Sequence, residues 1–193
     1  EKAKSSYEDA LTALSKTQAD NTRAQIYHDM AIIQTALGQY TKAQEYLHES
    51  IEYSKHTNNP YMKALSYLEE AVVNCKQRDY ASATALATTA FQLFSEMGDR
   101  LSIADVYKVF GMINRDSKRY DTALSYFENS KRINEDYNNS LNLGETLLEM
   151  AYLQKDMGDK SKASESIQAA IKAFKRIEAE ARIENAKEIL TSL

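Results

Sequence analysis

Small and apolar residues return along the chain in columns 40 positions apart, and within each copy they are spaced as on one face of a helix. Tyr27 to Ala31 is an i,i+4 step, Ala43 to Leu47 is another, and Ser50 follows three residues later on the same face. The phrase "LGQYTKAQEYL" (Leu37 to Leu47) returns as "QRDYASATALA", "SKRYDTALSYF" and "MGDKSKASESI". One column is Ala43, Ala83, Ala123 and Ala163, without exception; another is Ala31, Ala71, Gly111 and Ala151. Ser50, Ala90, Ser130 and Ala170 form a further small column, while Tyr27, Tyr67, Tyr107 and Leu147 form a large one. Small residues at fixed places imply close helix approach, and large ones fill the remaining space. The pattern predicts two amphipathic helices per copy, with a turn near Gly38, Asp79, Arg119 and Gly158. Neither helix can bury its stripe alone, so successive pairs must stack.

The breaks between copies are periodic too. Thr57 to Pro60, Met97 to Asp99 and Tyr137 to Asn139 supply Gly, Asn or Pro, which suit left-handed turns or end a helix. A fourth break is expected at Ile177 to Ala179, where no such residue stands. The expected organisation is a single array: a partial copy over 1–20, copies over 21–59, 60–99, 100–139 and 140–178, and a C-terminal capping helix over 179–193. "SSYEDALTAL" (Ser5 to Leu14) reads as the second helix of a preceding pair, which gives the expectation of a piece of something larger.

Composition supports helices, since the chain holds one proline and five glycines in 193 residues. A formal net charge of -4 argues against general nucleic-acid binding, because a polyphosphate backbone would be repelled. A single cysteine forms no internal disulfide, and neither a long apolar run nor a signal-peptide core is visible; the expected location is the cytoplasm.

The Gly-x-Tyr-x-x-Ala run of "GQYTKA", together with the small columns around a turn, resembles the tetratricopeptide repeat. The usual helix-ending proline is absent, the first-helix aromatic is Tyr rather than Trp, and the 40-residue period implies longer helices than the common repeat has. This is similar to the long-repeat branch in kinesin light chains, spindle-orientation adaptors and bacterial peptide-sensing regulators. The resemblance implies an all-α, right-handed superhelical solenoid of antiparallel helix pairs, about ten helices in all. It also implies that the first helix of each pair lines a concave, ligand-binding wall. Projected onto this chain, the wall holds Gln25, His28, Ile32 and Thr35, then Leu65, Leu68, Val72 and Cys75. Asp105, Lys108, Met112 and Arg115 follow, and then Glu145, Leu148, Tyr152 and Lys155. The candidate groove residues are His28, Leu65, Leu68, Val72, Lys108, Met112, Arg115, Tyr152 and Lys155. They suit a protein or peptide with apolar anchors beside an acidic group, with Lys108, Arg115 and Lys155 as orienting cations. Lys108 matches one position of the family's Lys and Asn carboxylate clamp, but Met112 stands where that clamp has Asn. An amide column, Gln34, Asn74, Asn114 and Gln154, is open to a structural role or a grip on a ligand backbone, with the structural role favoured.

Candidate chemistry is sparse. His48, Glu52 and His56 share a helical face, yet nothing completes a metal site, and Cys75 with His28 lacks an orienting partner. The glycines are too scattered for a phosphate loop. Neither catalysis nor a cofactor nor a metal is expected. The expected function is a non-catalytic binding scaffold; the alternative is a ligand-sensing module of a larger signalling or transcription-regulating protein. Self-association through exposed end repeats is a third expectation.

Overall fold

A helix begins at every twentieth residue. The computed structural model describes residues 19–193 together with Ser6, Tyr7, Asp9 and Thr12. The helices are α1 (Asp20–Ala36), α2 (Tyr40–His56), α3 (Pro60–Lys76), α4 (Tyr80–Glu96) and α5 (Arg100–Asp116). They continue as α6 (Tyr120–Asp136), α7 (Ser140–Asp156), α8 (Lys160–Lys175) and α9 (Glu180–Thr191). The expected helix over Ser5 to Leu14 lies outside the described residues apart from Ser6, Tyr7, Asp9 and Thr12, which are helical. No described helix is long and apolar enough to cross a membrane.

The turns explain the even spacing. Gly38, Asn58, Arg78, Gly98, Lys118, Asn138, Gly158 and Glu178 stand twenty residues apart, and every one has positive φ. Around Gly38, the Gly38 N–H donates to the Thr35 carbonyl and the Gln39 N–H to the Gln34 carbonyl. This is the Schellman arrangement, in which two otherwise orphaned carbonyls at a helix end are satisfied. Gly and Asn were the residues expected to take this conformation; Arg78, Lys118 and Glu178 take it as well, at φ 65, 62 and 53. A β-carbon makes it cost about 1–2 kcal/mol. The Schellman bonds offset part of that cost, so the repeat overrides the local preference. Asn59, Asp79, Asp99, Asn139 and Asp159 then cap the following helices by accepting a backbone N–H three residues on.

The Cα packing divides into two units, the first ending at Gly98 and the second running Asp99–Leu193. Each consists of helix pairs stacked in sequence. In the first, α1 packs on α2, α2 on α3 and α3 on α4; in the second, α5 through α9 continue the same order. The alanines of the column Ala43, Ala83, Ala123 and Ala163 are all fully buried. Size is compensated at two places in the second unit. A β-carbon added to Gly111 would stand 2.4 Å from Phe127, so the glycine exists to admit that ring. Leu47 occupies the place of Phe127 in the first copy, where Ala31 takes the place of Gly111. Gly144 makes the same allowance for Phe174, again at 2.4 Å. Hydroxyl pairs recur between successive pairs of helices: Ser50 and Ser66 at 2.9 Å, and Ser130 and Thr146 at 3.0 Å. Burial would leave any one of these hydroxyls costly without its partner.

Gly111→Ala is expected to destabilise the chain by about 1–3 kcal/mol through overpacking against Phe127. In Gly111→Ala/Phe127→Leu, which recreates the Ala31 and Leu47 pairing, the combined loss should be smaller than the sum of the two single losses. Urea unfolding of the four proteins measures the difference, and strict additivity would show that the two side chains do not meet.

Candidate ligand-binding wall of the second unit

The first helices of the second unit, α5, α7 and α9, are stitched together by polar pairs 37 residues apart. Asn142 donates its side-chain amide to both Asp105 oxygens, at 3.0 Å each, and Lys108 donates to Glu145 at 2.8 Å. Arg182 reaches the other Glu145 oxygen at 2.9 Å. With a repeat of 40, a step of 37 joins a residue on one first helix to a residue slightly nearer the start of the next. Lys108 also pairs with Asp105 at 3.2 Å.

A second cluster lies along α5 and α7. Arg115 pairs with Glu149 at 2.5 Å and with Asp116 at 2.9 Å, and its guanidinium stands 5.7 Å from the centre of the Tyr152 ring. This is a cation–π contact on a half-buried aromatic face. Burial draws the Lys108 ammonium down, but Asp105 and Glu145 outweigh it and hold the group above its ordinary value. Burial pushes Glu145 up, and Lys108 with Arg182 reverses that, leaving it below the ordinary carboxylate range. Burial wins at Asp105, which is raised.

Between these clusters is a cavity of about 310 Å³ lined by Lys108, Met112, Glu145, Leu148, Tyr152 and Ile189, among others. Its apolar groups are half-buried or exposed, Tyr152 retaining 36% of its surface. Such a site combines apolar contact with oriented charge, as a ligand-binding cleft does.

The candidate residues divide accordingly. Lys108, Met112 and Tyr152 line the cavity, Arg115 stacks on Tyr152, and Lys155 is exposed near the end of α7. In the first unit, Leu65 and Val72 are half-buried, whereas His28 and Leu68 are each 7% exposed. Two of the three cations foreseen as orienting groups for a ligand are already engaged with carboxylates, Lys108 with two and Arg115 with two close ones. Glu149, Arg182, Asn185 and Ile189 line the cavity without having been singled out from the sequence. Extending the 40-residue register into α9 would have found Asn185, which stands in the column of Asp105 and Glu145.

The same register accounts for His28. It shares a column with Lys108, but 37 residues later stands Leu65, not a carboxylate. Its Nδ1 is buried without a partner among the described residues, and burial lowers its pKa. The amide column is spent in helix packing where its bonds are seen. Asn74 accepts from Gln44 at 2.9 Å, Asn114 donates to the Phe110 carbonyl at 2.7 Å, and Gln154 accepts from Ser166 at 2.7 Å. No group of three or more His, Cys, Asp or Glu side chains among the described residues is placed to hold a metal ion. Glu52, between His48 and His56, instead pairs with Lys55 at 2.6 Å.

Comparison with known proteins agrees with this architecture. The tetratricopeptide repeat profile matches residues 24–57, and the profile of anaphase-promoting complex subunit 5 matches residues 107–192. No curated protein sequence matches the chain. Among solved structures, a Rap protein complexed with Competence and Sporulation Factor is similar at TM-score 0.79 and 12% identity, over 95% of this chain and 52% of that one. BtubC (BKLC) from P. vanneervenii is similar at TM-score 0.68 and 19% identity, over 92% of this chain and 74% of that one. The tetratricopeptide repeat sensor protein PH0952 of Pyrococcus horikoshii, a signal transduction ATPase with numerous domains, is similar at TM-score 0.68 and 21% identity, over 93% of this chain and 28% of that one. The chain therefore spans about half the length of the Rap protein and less of the ATPase.

The lowered pKa of His28 gives a signed expectation. The unfolded chain binds its proton more readily, so this residue lowers stability as pH falls from above about 6.5 toward its folded value. His28→Leu, which places at 28 the residue found at 68 and 148, should remove that loss. Urea unfolding at neutral and mildly acidic pH should show the variant gaining on the wild type as pH falls; parallel pH profiles would contradict the assignment.

Proposed function

Because the chain is built of tetratricopeptide repeats of the long, 40-residue type, we propose that it is a non-catalytic scaffold that holds a protein or peptide against the wall of α5, α7 and α9. The observation that carries this reading is the cavity in which Met112, Leu148 and Ile189 stand beside paired charges from three successive first helices. Apolar side chains of a ligand would displace water from those three residues and from Tyr152, which supplies affinity. An acidic ligand group is best received by Arg182, whose side chain is 52% exposed, or by the exposed Lys155. Lys108 and Arg115 would have to leave their carboxylates to serve it. The lone, buried Cys75 and the absence of an apolar spanning helix among the described residues are consistent with action in the cytoplasm.

A ligand-sensing role within a larger regulatory protein is the second reading. Arg182 favours it, because the last helix contributes to the cavity and is tied to Glu145. A ligand there would bear directly on how α9 docks. The similarity in fold to a Rap protein complexed with Competence and Sporulation Factor and to a repeat sensor supports a binding or regulatory module in both readings.

A peptide array probed with the wild type and with Met112→Glu/Tyr152→Ala tests the site, circular dichroism verifying that the variant is folded. Loss of at least about tenfold in affinity, or roughly 1.4 kcal/mol, is expected for peptides that use this wall. Unchanged binding would reject it as the ligand surface.

A further inference from the structure

We propose a second peptide-binding site on the other helix layer of the second unit: the groove between α6 and α8 receives an extended, largely apolar segment bearing an acidic residue at one end. The groove encloses about 620 Å³ and runs over α7 from Ser140 to Gln154, a length of about 21 Å at 1.5 Å per helical residue. Its floor is Leu143, Leu147 and Met150. The equivalent positions in the first unit are Lys63, Tyr67 and Glu70, with the Lys63 ammonium 5.7 Å from the Tyr67 ring centre. One copy before this groove they are Ile103, Tyr107 and Phe110, so the apolar floor belongs to the second unit and not to the first.

A spare acceptor in the wall decides the conformation of the occupant, because the interior N–H groups of a helix are already bonded within it. An extended chain brings unpaired backbone N–H groups, and the groove wall holds an acceptor for one. Asn134 is 0% exposed, and its Oδ1 has no hydrogen-bond partner among the described residues. Its side-chain amide is already committed, donating to the Ser130 carbonyl at 3.0 Å. The columns explain the opening: the equivalent residues of the neighbouring copies are Phe94 and Phe174, both fully buried. Asn134 is smaller than either and leaves an oxygen that needs a donor.

Charge sets the direction. Around the Asn134 end, where α6 finishes and α7 begins, the walls carry Lys131, Lys172 and Arg176 against a single Glu135. Toward the other end stand Glu128, which pairs with Lys131 at 3.8 Å, Glu165, and Lys162, which is engaged by Asp159 at 3.0 Å. An acidic residue is drawn to the first end and a basic one to the second.

The probe is an unlabelled octapeptide of alternating Val and Thr with two Glu at one terminus and Lys at the other, titrated into the whole isotope-labelled chain. Amide chemical-shift changes are expected on α6, α7 and α8. Asn134→Phe places in the third copy the residue its neighbours hold and removes the spare oxygen; with circular dichroism verifying that the variant is folded, it should weaken binding at least tenfold. Lys172→Glu/Arg176→Glu alters only exposed residues and should do the same, while a peptide with the charged ends replaced by Ser should bind more weakly than the probe. Shifts centred on the α5, α7 and α9 cavity, affinity untouched by both variants, or no shifts at millimolar peptide would overturn the proposal. So would a clear preference for an alanine-rich helical peptide or for oleate over the probe. Because Met112→Glu/Tyr152→Ala leaves this groove intact, failure here and failure of the first-helix wall are separately visible.

Discussion

A left-handed residue at every twentieth position is the constraint on which the remaining structure depends. It closes one helix, aims the next and keeps the interval between starts at twenty residues from α1 to α9. Every column then falls on the same face of its helix in successive copies. The alanines at 43, 83, 123 and 163 can be small because they always meet a neighbouring helix at close range. Three of the eight left-handed positions hold Arg, Lys or Glu, so the conformation is imposed by helix packing as much as by residue preference.

A fixed register also turns charge into geometry. The 37-residue relation places Lys108 on Glu145 and Arg182 on the same carboxylate, a chain of alternating charge across three helices. Lys108 and Glu145 are largely shielded from water, where opposite charges attract more strongly than at an open surface, whereas Arg182 is half exposed. The first unit uses the same positions differently. His28 and Leu65 replace a cation and its acceptor, and burial disfavours the charged form of the histidine. One framework therefore carries an ionic wall in one unit and a more apolar one in the other.

The two helix layers of the second unit offer different surfaces for that reason. Side chains on α5, α7 and α9 are close enough to pair across the wall, and what remains open is a small cavity between ion pairs. On the other layer α6 and α8 leave α7 visible between them, and the floor residues Leu143, Leu147 and Met150 are buried yet line the groove. A ligand on the first surface must exchange with charges already satisfied, whereas one on the second would satisfy a buried oxygen.

The sequence by itself determined the helix pairs, their turns and the 40-residue repeat, because packing columns and turn residues recur at intervals that a helix makes visible in one dimension. The resemblance to the tetratricopeptide repeat, projected through that period, put Lys108, Met112 and Tyr152 on one first-helix face. Only the tertiary structure decided which of those side chains remain available. Lys108 and Arg115 are engaged because their partners lie 37 and 34 residues away on another helix, a relation in which local spacing has no part. Leu68 is buried and Val72 half-buried although both lie on the same projected face, because depth depends on how near the adjoining helix comes. The groove at Asn134 was hidden for a related reason: an asparagine in a phenylalanine column reads as ordinary variation until the space it leaves, and the oxygen it strands, are seen between three helices.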